Sequence, residues 1–170
     1  MANTWTLIEG HIAYALGAMI GADPRVSLAI LSKVQTATAK SQMIRAIAKA
    51  ALDEQFRPDF EKLMKTFDAM APRRNKVIHG LWGVMDVEPD CLIWVPSDLP
   101  TRISLGMLSA MVAGNSREFL NDSQSENEIW EAADFDALNS DLSELASLSV
   151  SFATKMHAFD IAGKSGVKLP

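Results

Sequence analysis

Cysteine occurs once in the chain, at Cys91, so no intramolecular disulfide can form and no thiolate metal cluster is available. No uninterrupted apolar run approaches the roughly 18–20 residues that cross a bilayer. The segment from Met1 to Glu9 carries an acid and no base, unlike the basic start of a secretory leader. A cytoplasmic location and no membrane association are therefore expected. Histidine occurs three times, at His11, His79 and His157, and no HxxxH or HExxH spacing links them, so no metal is expected. There is no GxGxxG or GxxxxGK[ST] loop to cradle a nucleotide and no GxSxG turn for a serine nucleophile. No cofactor is expected either.

What is present is a chain of 170 residues, 48% of them apolar, with a net charge of −5. That is enough for one globular domain with a core of its own. Residues 1–162 read as a single helical domain and 163–170 as a frayed tail. The charge is unevenly spread. From Glu118 to Glu144 the acids Asp122, Glu126, Glu128, Glu131, Asp134, Asp136 and Asp141 come with no base among them. Between Lys62 and Lys76 the balance reverses, with Lys62, Lys65, Arg73, Arg74 and Lys76 against Asp68. An acidic whole argues against sequence-blind binding to long nucleic acid, which needs many phosphate contacts, but leaves room for a site that handles one phosphate. Most of these charges read as solvated helix faces.

Apolar residues recur at three- and four-residue steps through most of the chain, which predicts helices. The first runs from Thr4, as N-cap, to about Ile20. Asp23 caps and Pro24 opens a second, to about Leu31 or Val34. A third spans about Thr38 to Leu52, and a fourth starts near Pro58. Pro72 should kink or restart that helix, and a restart would leave free N–H groups near Arg73 and Arg74 as a small anion-attracting end. Gly80 closes it. Residues 81–87 and 91–95 then read as a β-hairpin around Pro89. A loosened helix is expected at 105–120, a polar loop at 121–127 and a long helix from Asp134 to Ala158. The fold class is mainly α, a helical bundle with a small β-hairpin inserted after the fourth helix.

One segment has chemistry in it: Arg74-Asn75-Lys76-Val77-Ile78-His79. Asn75 and His79 stand four apart on one helix face. If the helix keeps its register through Pro72, Arg74 continues the apolar stripe of Phe67 and Met70. An arginine in such a slot is costly unless it is paired or faces a cleft or an interface. Each residue has a structural alternative. Arg74 would be an ion pair with Glu9 or another acid, His79 a cation at the helix C-terminus, and Asn75 an ordinary surface amide. Glu9 is in turn a candidate partner for Arg74 or His79, or a surface carboxylate. Lys76 and Arg73 read as solvated, with a secondary role in guiding a phosphate chain. Trp82 and Trp94 are either base-stacking platforms or core anchors.

Arg74, Asn75 and His79, closing a helix ahead of Gly80 and Trp82, resemble the signature of the HEPN superfamily. In that family Arg is followed after four to six residues by His, often with Asn directly after the Arg. The resemblance implies a helical bundle, a homodimer in which two motifs share a cleft, and a metal-independent endoribonuclease, in some members a toxin held by an antitoxin or a defence nuclease. It implies catalytic roles for Arg74 and His79. RNA brings its own nucleophile, the 2′-hydroxyl, so such a site needs only proton transfer by His79 and charge stabilisation by Arg74, with Asn75 in support. The products would be a 2′,3′-cyclic phosphate and a 5′-hydroxyl. The alternatives are a non-catalytic module that binds RNA, a nucleotide or a protein, and a scaffold whose motif only stabilises a dimer.

Overall fold

A computed structural model of the protein describes residues 2–84, 90–113 and 125–165. Among them are six α-helices, here α1 (Ala2–Ile20), α2 (Pro24–Lys33), α3 (Ala37–Ala51), α4 (Arg57–His79), α5 (Leu99–Ala113) and α6 (Ala132–Ser165). Three short strands, β1 (Leu81–Val84), β2 (Leu92–Val95) and β3 (Glu128–Trp130), form one antiparallel sheet in the order β1-β2-β3. The chain is mainly helical, as its periodicity predicts. It divides into two compact units, residues 1–72 with 139–170 and residues 73–138.

In the first unit α1 turns Trp5, Ile8, Ile12, Ala15 and Leu16 inward, α3 contributes Ile44 and Ala48, and α4 contributes Phe60, Leu63, Met64 and Phe67. Leu142, Leu145, Phe152 and Met156 of α6 complete this interior. Trp5 stacks on Phe67 with ring centroids 5.1 Å apart. Each such side chain removed from water stabilises the fold by about 1.5–3 kcal/mol.

Local signals set several boundaries. The Asp23 carboxylate accepts from the Arg25 backbone N–H at 2.8 Å, so it caps α2 with Pro24 in the first turn. Thr36 caps α3 by accepting from Ala39 N at 3.2 Å. Helix α1 already begins at Ala2, so Thr4 lies within its first turn and is not the cap. Helix α6 is longer than its apolar pattern indicates. The side chain of Asp134 accepts from Glu131 N at 2.8 Å and the helix then continues to Ser165, into the segment expected to fray. Helix α5 starts at Leu99, ahead of the expected 105, and residues 114–120 of that expectation lie outside the described residues.

The main departure is at Pro72. Helix α4 passes through it without a break, so there is no restart and no second helix N-terminus at Arg73 and Arg74. Proline costs one backbone bond, to the Asp68 carbonyl. Both flanks are secured: Phe67, Met70 and Ala71 are buried before it, and the last turn after it is capped from the sheet. The expected hairpin is present as β1 and β2, with Trp82 opposite Trp94 and Gly83 opposite Ile93. Residues 85–89, including its turn at Pro89, lie outside the described residues. Strand β3 was not expected. It lays Ile129 opposite Ile93 and Trp130 opposite Leu92, which makes β2 the central strand.

Candidate functional site

The motif occupies the last two turns of α4, within the unit of residues 73–138. A helix ends with carbonyls that no intrahelical N–H reaches. Here two tryptophans supply donors. Trp94 Nε1 donates to the Lys76 carbonyl at 2.8 Å, and Trp82 Nε1 donates to the Val77 carbonyl at 3.0 Å. The Gly80 N–H also reaches the Lys76 carbonyl, at 3.0 Å. Gly80 is glycine for a steric reason: a Cβ there would lie 1.6 Å from Trp94 Nε1. Its φ is not positive, so the expected glycine stop works by making room for an indole and not by a left-handed turn.

Trp82 also packs in a trio with Trp130 and Phe135, with centroids 5.3–5.5 Å apart. Edge-on and tilted arrangements of this kind add about 0.5–1.5 kcal/mol per pair beyond burial. Both tryptophans are thus anchors of the helix end.

With the helix end held, the motif side chains spread around it. Arg74 is half-buried, as an unbroken register through Pro72 requires. Its Nη1 donates to Asn75 Oδ1 at 2.9 Å. Asn75 therefore orients Arg74, whereas the helical spacing alone pairs it with His79. His79 is exposed on the final turn. Five residues separate Arg74 from His79, which puts them roughly 140° apart round the helix. One copy of the motif does not bring the guanidinium and the imidazole onto a common face.

Lys76 departs from its expected solvated role. It forms an ion pair with Glu128 of β3, and its Nζ sits 4.6 Å from the centre of the Trp94 ring. This clamp, and Glu128 as a member of the site, have no signature in the sequence, because the two residues lie 52 positions apart. Trp94 had one cue: a helix end short of donors lies next to a tryptophan-bearing hairpin. A cleft of about 300 Å³ opens beside them, lined by Arg73, Lys76, Glu128, Ile129, Trp130 and Asp134 along with Ala137. Two cations and two carboxylates line it, so it is charge-balanced and not a basic groove.

Glu9, the other candidate, lies in the first unit and is taken by Lys40, whose Nζ is 2.5 Å from Glu9 Oε1. The remaining histidines are also engaged there. His11 Nδ1 is 3.0 Å from Ser149 Oγ, and the Tyr14 hydroxyl is 2.6 Å from His157 Nδ1. Among the described residues no group of three or more His, Cys, Asp or Glu side chains is placed to hold a metal ion. Among them, too, no helix is long and apolar enough to cross a membrane. No protein family, no curated protein and no solved structure matches this chain, so any kinship is read from the Arg74–His79 motif and the helical layout alone.

Proposed function

We propose that this chain is a metal-independent endoribonuclease of HEPN type, cytoplasmic, acting as a homodimer with Arg74 and His79 as its catalytic pair. The observation that carries the reading is the state of the motif. His79 is exposed on a helix turn fixed by two indole donors, while Arg74 is half-buried and oriented by Asn75. A proton-transfer group open to solvent beside a pre-oriented guanidinium suits RNA cleavage by its own 2′-hydroxyl. The 140° spread of the two side chains explains why a second copy is needed: Arg74 of one chain and His79 of the other share a phosphate.

In this scheme one His79 removes the proton from the 2′-hydroxyl and the oxygen attacks the phosphorus. The second His79 protonates the departing 5′-oxygen, and the Arg74 fork stabilises the extra negative charge. The products carry a 2′,3′-cyclic phosphate and a 5′-hydroxyl, and DNA, which lacks the nucleophile, is inert. A toxin or defence role with an antitoxin partner belongs to the same proposal.

The test is cleavage of labelled RNA in EDTA by the parent and by His79→Ala, at matched helical content. The expected loss is about 10²–10⁴-fold, the usual contribution of one proton-transfer group. Equal cleavage by both proteins, or none by a folded parent, ends the reading. A second reading, a non-catalytic dimer that holds RNA, a nucleotide or a protein, draws on the Lys76–Glu128 pair. That pair removes one cation that a phosphate chain would use. It would be favoured by a folded parent that binds RNA and leaves it intact.

A further inference from the structure

Helix α2 differs from the other short helix of its unit in what it shows to solvent. It buries only Ser27 and Leu31, and leaves Val26, Leu28 and Ile30 respectively 52%, 46% and 50% exposed. Helix α3 is five residues longer, and its exposed positions are Thr38, Ala39, Gln42, Ala46, Lys49, Ala50 and Ala51, with no large hydrophobe among them. Scattered apolar residues on a surface need no explanation, but a contiguous aliphatic stripe on one short helix does.

The stripe has the spacing of a packing seam. Val26, Ala29, Ile30 and Lys33 fall at i, i+3, i+4 and i+7, and with Asp23 and Val34 they line one open groove. Small Ala29 sits mid-stripe, where a partner helix comes nearest. Asp23 stands at one end of the stripe and Lys33 at the other.

We propose that α2 is a self-association surface that pairs with α2 of a second copy of this chain, antiparallel about a two-fold axis near Ala29. The register follows from the residues. The two-fold that sets Val26 of one chain against Ile30 of the other also sets Asp23 against Lys33, since both pairs are centred on the same position. An apolar partner of another kind would satisfy the stripe but not the end charges. A two-fold contact uses one patch twice and needs that patch to be self-complementary. Antiparallel packing also opposes the two helix dipoles. The Asp23–Arg25 pair is open to solvent, with Arg25 90% exposed, so it holds Asp23 only weakly against a new partner.

Ten residues span about 15 Å, too short to bury the roughly 800 Å² per partner of a standard interface. The association is therefore weak, with a dissociation constant on the order of micromolar or above. The inference needs nothing from the Arg74–His79 motif, which lies in the other unit, and its readout is mass and not cleavage.

Sedimentation equilibrium of the full chain over a wide concentration range tests it. The mass of the parent should rise toward two copies. Ala29→Glu, an exposed position, should hold the mass at one copy with unchanged circular dichroism. Val26→Lys and Ile30→Glu should each be monomeric, and an equimolar mixture should associate again, because the introduced cation of one chain faces the introduced anion of the other. A parent that stays monomeric at the highest concentration overturns the proposal. So does a dimer that survives Ala29→Glu, which would leave the ribonuclease reading untouched. A mixture that stays monomeric overturns the register.

Discussion

In the unit of residues 1–72 and 139–170 the interior is filled by side chains that are almost wholly removed from water, from Trp5 and Ile8 to Phe152 and Met156. In residues 73–138 only Leu99 and Leu138 reach that state among the described residues. The second unit is held instead by directional contacts: two indole N–H groups on helix carbonyls, three edge-on or tilted ring pairs, and ion pairs at Lys76 and Arg102. Burial is insensitive to small shifts of geometry, whereas hydrogen bonds and ion pairs are lost within about an ångström. The candidate site thus stands on the part of the chain whose order depends on particular atoms being in place.

That contrast can be broken or sharpened by measurement, and the largest effect belongs to the burial side. Phe67→Ala removes a fully buried ring stacked on Trp5 and should cost about 3–5 kcal/mol, read by urea unfolding followed in the far ultraviolet. A loss below about 1 kcal/mol would mean that this interior is looser than its burial implies.

Gly80→Ala comes next and strikes the directional side. The added methyl must expel the Trp94 indole, which strips a donor from the Lys76 carbonyl and shifts the ring under Lys76. A destabilisation of about 2–3 kcal/mol is expected, with a displaced Trp94 indole N–H resonance. An unmoved resonance would refute the steric role of Gly80.

Glu128→Gln should be milder, at most about 1 kcal/mol, because the pair with Lys76 is partly exposed, at 46% and 30%. The deficit should shrink in high salt. A salt-independent loss would point to packing of the strand in place of charge.

The smallest effect is a titration. Asp23 has its carboxyl held down at about 2, first by the Arg25 guanidinium and then by the Arg25 backbone N–H. A depressed carboxylate stabilises the folded state above its unfolded value near 4, and that contribution fades as pH falls from there through about 2. Carbon-detected NMR of the Asp23 carboxyl should place its midpoint near 2, and a midpoint near 4 would dissolve the cap.

Much of the first unit was legible in the sequence because its signals are local. Asp23-Pro24 announces a helix start within two residues, and the stripe from Phe60 to Met70 announces which face is buried. Strand β3 was not legible. Glu128-Ile129-Trp130 is three residues in an acidic run, and it becomes a strand only because β2 offers an unpaired edge more than 30 residues back along the chain. Pro72 misled for the opposite reason: a local rule for breaking helices was outweighed by the anchoring on either side. In the motif, the inward lean of Arg74 followed from continuing the stripe past Phe67 and Met70. The capture of Lys76 by Glu128 and the bond from Arg74 to Asn75 depend on side-chain choices that residue spacing does not encode.

The fit between Gly80 and Trp94 also bears on how this chain can drift. A side chain at position 80 demands a smaller residue at position 94, and the tryptophan at 94 tolerates nothing beyond hydrogen at 80. The two positions are free to change only in concert. The string from Arg74 to Trp82 is thus a composite, part of it proposed for chemistry and part of it shaped by two indoles. In any relative, losing His79 would mark a change of activity, whereas losing Gly80 together with Trp94 would mark only a different way of finishing the same helix.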